Sequence, residues 1–124
     1  MTAPTPFGEI LRRAVLATPG AIGGAFADSQ GEMVDSFAVY DPHEWAVLTA
    51  YYGVVLSQLD AWLGTRHFGG PEYFIAQHGA LDVIVHAIPG GYYALLAVAK
   101  PTAPLGFALV HLREAADALR REMA

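Results

Sequence analysis

Apolar residues recur along this chain in two periods, and the switches between them lay out the order of its elements. Phe7, Ile10, Leu11, Ala14 and Val15 repeat at helical spacing behind a Thr5-Pro6 pair suited to the N-cap and first helical positions, and Pro19-Gly20 ends the run. Ala21 to Asp28 reads as a strand. Its positions Ala21, Gly23, Ala25 and Ala27 carry almost no side chain, so one face is flat enough for a helix to lie close. A turn at Asp28-Ser29-Gln30-Gly31 leads to a second strand, Glu32 to Tyr40, with Met33, Phe37 and Val39 expected on one side.

Asp41-Pro42 opens the longest element, a helix running to about Gly64, with Asp41 placed to cap and Glu44 three residues on. Trp45, Leu48, Tyr52, Val55, Leu56, Leu59 and Leu63 form a broad apolar face, and Ala46, Ala50, Gly53 and Ser57 form a seam of small residues. Between Glu44 and Asp60 there is no charged residue at all. A helix with one solvated face alternates apolar and charged sides; this one does not. At 1.5 Å per residue it is long enough, roughly 33 Å, to cross a whole sheet.

After a loop at Thr65 to Pro71, the segments Glu72 to His78 and Leu81 to Ala87 form a hairpin around His78-Gly79-Ala80. Pro89-Gly90-Gly91 turns the chain again. Tyr92 to Ala99 is apolar on both faces, as a central strand of a covered sheet must be. Thr102 and Pro104 start a last helix, whose Leu105, Leu109, Leu112, Ala116, Leu119 and Met123 are spaced 4, 3, 4, 3 and 4 apart, with Arg113, Glu114, Asp117, Arg120 and Arg121 opposite. The order is helix, two strands, long helix, three strands, helix: one α/β (α+β) domain over residues 1–124.

Composition narrows the function classes. The chain is 54% hydrophobic and 15% charged, so apolar surface remains for a partner or both faces of the sheet are covered. The net charge is −5, and the Arg12-Arg13 and Arg120-Arg121 pairs make no basic stripe, which excludes nucleic acid as a partner. No cysteine is present, so thiolate chemistry and Cys-based zinc sites are excluded. A signal-peptide pattern and a membrane-length apolar run are also missing, and a cytoplasmic location is expected.

Several motifs resemble those of the Roadblock/dynein-light-chain family: Pro19-Gly20-Ala21-Ile22-Gly23-Gly24-Ala25 entering the first strand, Asp28-Ser29-Gln30-Gly31 before the second, and Gly79-Ala80-Leu81-Asp82-Val83 heading the fourth. The aliphatic fifth strand, followed by a helix with Leu112 and Leu119, extends the match to nearly the whole chain. The resemblance implies a five-stranded antiparallel sheet of order 2-1-5-4-3. It places the long crossover helix on one face and the terminal helices on the other. It also implies an edge third strand that pairs with its copy in a homodimer, setting the two long helices side by side. Partners would be a small Ras-like GTPase or another Roadblock-fold protein, in the setting of bacterial polarity and motility control of the Mgl type.

Candidate chemistry is sparse. The glycines of Gly20 to Gly24 follow a helix and enter a strand, the reverse of a phosphate-binding loop, and Lys100 is the single lysine. His43, His67, His78, His86 and His111 show no metal-ligand spacing, and a turn at Gly79-Ala80 puts His78 and His86 on opposite sheet faces. Ser29, Ser36 and Ser57 sit in no nucleophile motif, and Asp28, Glu32 and Asp35 decorate a solvated hairpin. Arg66, in a glycine-flanked loop, is read as solvated and not as a catalytic arginine finger. No catalytic, cofactor-binding or metal-ligating residue is expected, and no cofactor. The expectation is a non-enzymatic binding module whose dimer or partner interface comprises Trp45, Ala46, Thr49, Ala50, Tyr52, Gly53 and Ser57 of the long helix with Tyr73 and Ile75 of the edge strand. The alternative is a small-molecule sensory domain, which needs a concave pocket with convergent polar groups.

Overall fold

A computed structural model describes residues 5–64, 67–100 and 105–124. The loop residues Thr65 and Arg66, and the helix-starting pair Thr102 and Pro104, lie outside them. The elements are α1 (Pro6–Ala17), β1 (Ala21–Asp28), β2 (Met33–Ala38), α2 (Pro42–Leu63), β3 (Tyr73–Gln77), β4 (Leu81–Ile88), β5 (Tyr92–Ala99) and α3 (Leu105–Met123). The strands form one antiparallel sheet in the order β2-β1-β5-β4-β3, as the sequence motifs implied.

Both helix starts follow the sequence signals. Thr5 caps α1 by accepting a 3.0 Å hydrogen bond from Gly8 N. Asp41 caps α2 through a 2.9 Å bond from Glu44 N, with Pro42 in the first turn. Strand β5 lies at the centre, and Tyr93 to Val98 are all buried. Alternation along it feeds two cores. Phe26, Ile84, Leu96 and Val98 pack under α1 and α3 with Leu11, Leu112 and Leu119. Ala25, Val83, Val85, Tyr93 and Leu95 pack under α2 with Trp45 and Tyr52.

Strand β2 departs from simple alternation. Met33 packs with the α2 core, whereas Phe37 packs with the α1/α3 core, although an even spacing places them on one side. The register slips between Phe26 and Ala27, so that Phe26 faces Asp35 and Ala27 faces Met33, and Val34 is the extra residue. One inserted residue inverts every side chain beyond it. The expectation of Met33 and Phe37 on one face is thereby corrected.

Candidate interaction face

The seat of α2 explains the glycines of β1. A Cβ added at Gly23 would stand 2.9 Å from the Trp45 ring and 2.8 Å from the Ala38 methyl. Only a bare backbone there lets the indole lie flat on the sheet, where Trp45 is 2% exposed. Farther along, a Cβ at Gly53 would meet the Tyr93 hydroxyl at 2.5 Å and the Gly31 backbone at 3.1 Å. Gly31 itself takes a positive φ of 80° beside the Ala50 backbone, a conformation that favours glycine. The small-residue seam of α2 is therefore the groove in which the β1–β2 turn rests.

Polar bonds fasten the same seam. Tyr93 OH donates to Thr49 O at 2.7 Å, Thr49 Oγ1 donates to Trp45 O at 2.8 Å, and Ser57 Oγ donates to Ser29 O at 3.1 Å. Tyr52 OH contacts His78 Nε2 at the far end of β3. Burial raises the Tyr93 phenol to about 12, with the charge of Asp28 adding to the effect, and burial likewise raises Tyr52. Among the described residues there is no group of three or more His, Asp or Glu that could hold a metal ion.

These contacts sort the residues expected at an interface. Trp45, Thr49, Tyr52 and Gly53 are buried against the chain's own sheet, and Ala50 is half-buried against Gly31. Within the single chain these residues pack between α2 and the sheet. Ser57 is exposed but bonded to the Ser29 carbonyl, and Ala46 is exposed. Tyr73 and Ile75 are partly exposed on the edge strand, yet they pair with His86 and Ile84 and so lie on the α1/α3 face, opposite α2. Tyr73 stacks on His86, and the Arg113 guanidinium of α3 sits 5.4 Å from its ring centroid. Among the described residues β3 is bonded to β4 alone, which leaves its outer edge unpaired there.

The surface that α2 turns outward is a different row of residues: Val47, Tyr51, Val54 and Trp62, with Val55 beside them. Their spacing of 4, 3 and then 8 residues keeps them on one side of the helix, and Tyr51 and Trp62 are 68% and 64% exposed. No charge interrupts the row. The sequence carried the signal, since two apolar rows on one helix cannot both face one sheet. It lacked the means to say which row the sheet takes.

A second concavity, an open cleft of about 640 Å³, wraps the β4–β5 turn at Pro89-Gly90-Gly91. Leu56 and Asp60 of α2 line one side, and Arg113, Asp117 and Arg120 of α3 line the other. Asp117 accepts from Arg120 at 2.8 Å and Arg121 at 2.5 Å, and these two guanidiniums hold its carboxyl below the usual carboxylate range. The close seating of α2 on the flat face of β1 does not extend to this end of the sheet.

No protein-family model and no curated protein matches the sequence. Solved structures do match the fold. Myxococcus xanthus MglB aligns with a TM-score of 0.84 at 11% identity, over 96% of this chain and 95% of that one. A Roadblock/LC7 domain from Streptomyces avermitilis aligns with a TM-score of 0.80 at 10% identity, over 98% of each chain. The gliding protein MglB of Thermus thermophilus aligns with a TM-score of 0.73 at 21% identity, over 100% of this chain and 96% of that one. The chain has the Roadblock fold shared by these proteins.

Proposed function

We propose that this chain is a non-catalytic adaptor that pairs with a second copy of itself and in that form engages a small Ras-like GTPase, another Roadblock-fold regulator, or both. The carrying observation is the uncharged apolar row Val47, Tyr51, Val54 and Trp62 on the outward side of α2. Aromatic and aliphatic surface without charge has the composition of an interface core. The free edge of β3 supports the same reading, because an unpaired strand edge is a template for another strand. Together they supply a helix face and a strand edge for a symmetric dimer. Likeness to MglB, which one matched structure describes as a gliding protein, supports a role in polarity or motility control. The reading includes no cofactor and no reaction of the chain's own.

Light scattering on the purified chain, alone and mixed with the cell's small Ras-like GTPase and its other Roadblock proteins, tests it. A dimer whose mass rises on mixing is expected. A monodisperse monomer that ignores every candidate overturns it.

A further inference from the structure

We infer that Asp35 closes the β2 edge of the sheet, so that strand addition to this chain is confined to the other edge, β3. The inference concerns β2 and holds whether one copy or two make up the particle in solution.

Strand β2 has the composition of a strand that recruits others. From Met33 to Tyr40 only Asp35 is charged, and Val34, Val39 and Tyr40 are exposed. A short run rich in β-branched and aromatic residues, with a bare edge, is an aggregation hazard. The hydrogen bonds show which groups this edge presents. Val39 N donates to Ile22 O at 2.8 Å, and Phe37 and Asp35 stand opposite Gly24 and Phe26 in the same register. Val39, Phe37 and Asp35 therefore turn their backbone groups to β1, and Ser36 and Ala38 turn theirs out. The Ser36 amide is thus a donor that an incoming strand would need.

That donor is already taken. Asp35 Oδ1 accepts from Ser36 N at 2.8 Å. The other oxygen, Oδ2, accepts from Thr5 Oγ1 at the start of α1, and a Cβ added at Gly8 would stand 3.3 Å from it. With both oxygens held, the carboxylate stays at the edge instead of swinging into water. A strand laid along β2 would have to displace that charge or bury it, and burying it is costly. The extra residue at Val34 breaks the ladder farther along. Strand β3 carries no such device. Ala87 N donates to Glu72 O at 2.8 Å, so in the β3–β4 register Tyr73, Ile75 and Gln77 turn their backbone groups outward. Among the described residues no side chain bonds to those groups, and Tyr73 to Gln77 contains no charge.

Sedimentation velocity and amide hydrogen exchange on the full chain test this. In the wild-type chain the Ser36 amide should exchange at least about tenfold more slowly than the Ala38 amide, which also faces out but has no side-chain acceptor among the described residues. Asp35→Ala should erase that difference and raise the sedimenting mass to at least double the wild-type value. A wild-type monomer would become a pair joined through β2. A wild-type dimer joined through β3 would become chains that lengthen with concentration. The mass change therefore reads the β2 edge separately from self-pairing of the wild type. Ser36→Pro added to Asp35→Ala removes the freed donor, which makes no bond to β1, and should return the mass to the wild-type value. The inference is overturned if Ser36 and Ala38 exchange alike in the wild type, if folded Asp35→Ala keeps the wild-type mass, or if its assemblies persist after Ser36→Pro. Should Asp35→Ala fail to fold, the exchange comparison in the wild type decides alone.

Discussion

Tyr93 on the central strand and Thr49 in the middle of α2 are joined by a 2.7 Å hydrogen bond from the phenol to the helix carbonyl. It fixes how deep and at what rotation the long helix sits, and therefore which of its rows faces outward. Tyr93→Phe removes the bond and leaves the ring in place, while the Thr49 carbonyl remains free to accept from the helix. The expected cost is about 1 kcal/mol, read as a lower urea midpoint with an unchanged slope.

The same phenol sets a pH dependence. Its pKa of about 12 in the folded chain lies above the ordinary value of 10.0. Between these values the unfolded chain has lost the proton that the folded chain keeps, so stability is full below pH 10 and falls as pH rises toward 12. Urea midpoints measured across this range should decline in the wild-type chain. In Tyr93→Phe the decline should be smaller; equal declines would mean that other groups dominate.

Gly53 reports on the seam directly. Gly53→Ala sets a methyl 2.5 Å from the Tyr93 hydroxyl and 3.1 Å from the Gly31 backbone, which cannot retreat. A loss of roughly 1–3 kcal/mol is expected from overpacking, despite the gain in helix propensity that alanine brings at a helical site. An unchanged or higher melting temperature would show that α2 can lift from the β1–β2 turn at no cost.

Val54→Lys separates interface from core. Val54 is 55% exposed, in the outward row, so the substitution should alter monomer stability by no more than about 0.5 kcal/mol. It should nevertheless abolish self-association in sedimentation, because it places a charge in an apolar contact. A dimer that persists at wild-type strength would move the interface elsewhere.

Lys100 and Asp82 form an ion pair at 3.1 Å, with the carboxylate side chain 6% exposed and the lysine 34% exposed. Removing the lysine strands a buried charge; Asp82→Asn removes the charge itself. Lys100→Met should therefore cost more, about 3 kcal/mol, than Asp82→Asn, and chemical denaturation of both variants gives the order.

Much of the architecture was legible in the order of residues. Two dry faces on Tyr92 to Ala99 meant a central strand, Asp41-Pro42 marked the start of α2 within a residue, and the flat face of Ala21 to Ala27 anticipated a closely packed helix. These features are local: a cap needs one side chain and its own turn, and a strand's burial shows in its own alternation. The slip at Val34 was not legible, because a bulge is a relation between two strands.

The candidate face divides along the same line. The sequence by itself determined that α2 has more apolar surface than one sheet can cover and no charge between Glu44 and Asp60 to solvate it. Only the tertiary structure decided that Trp45, Thr49, Tyr52 and Gly53 face inward and Val47, Tyr51, Val54 and Trp62 face outward. Hydrophobicity is non-directional: it records that a residue prefers to leave water, and a sheet in the same chain and a partner's surface satisfy that preference equally. What breaks the tie is shape. Gly23 leaves space for the Trp45 indole and Gly53 leaves space for the Tyr93 hydroxyl, and those fits exist only once strands and helix are assembled.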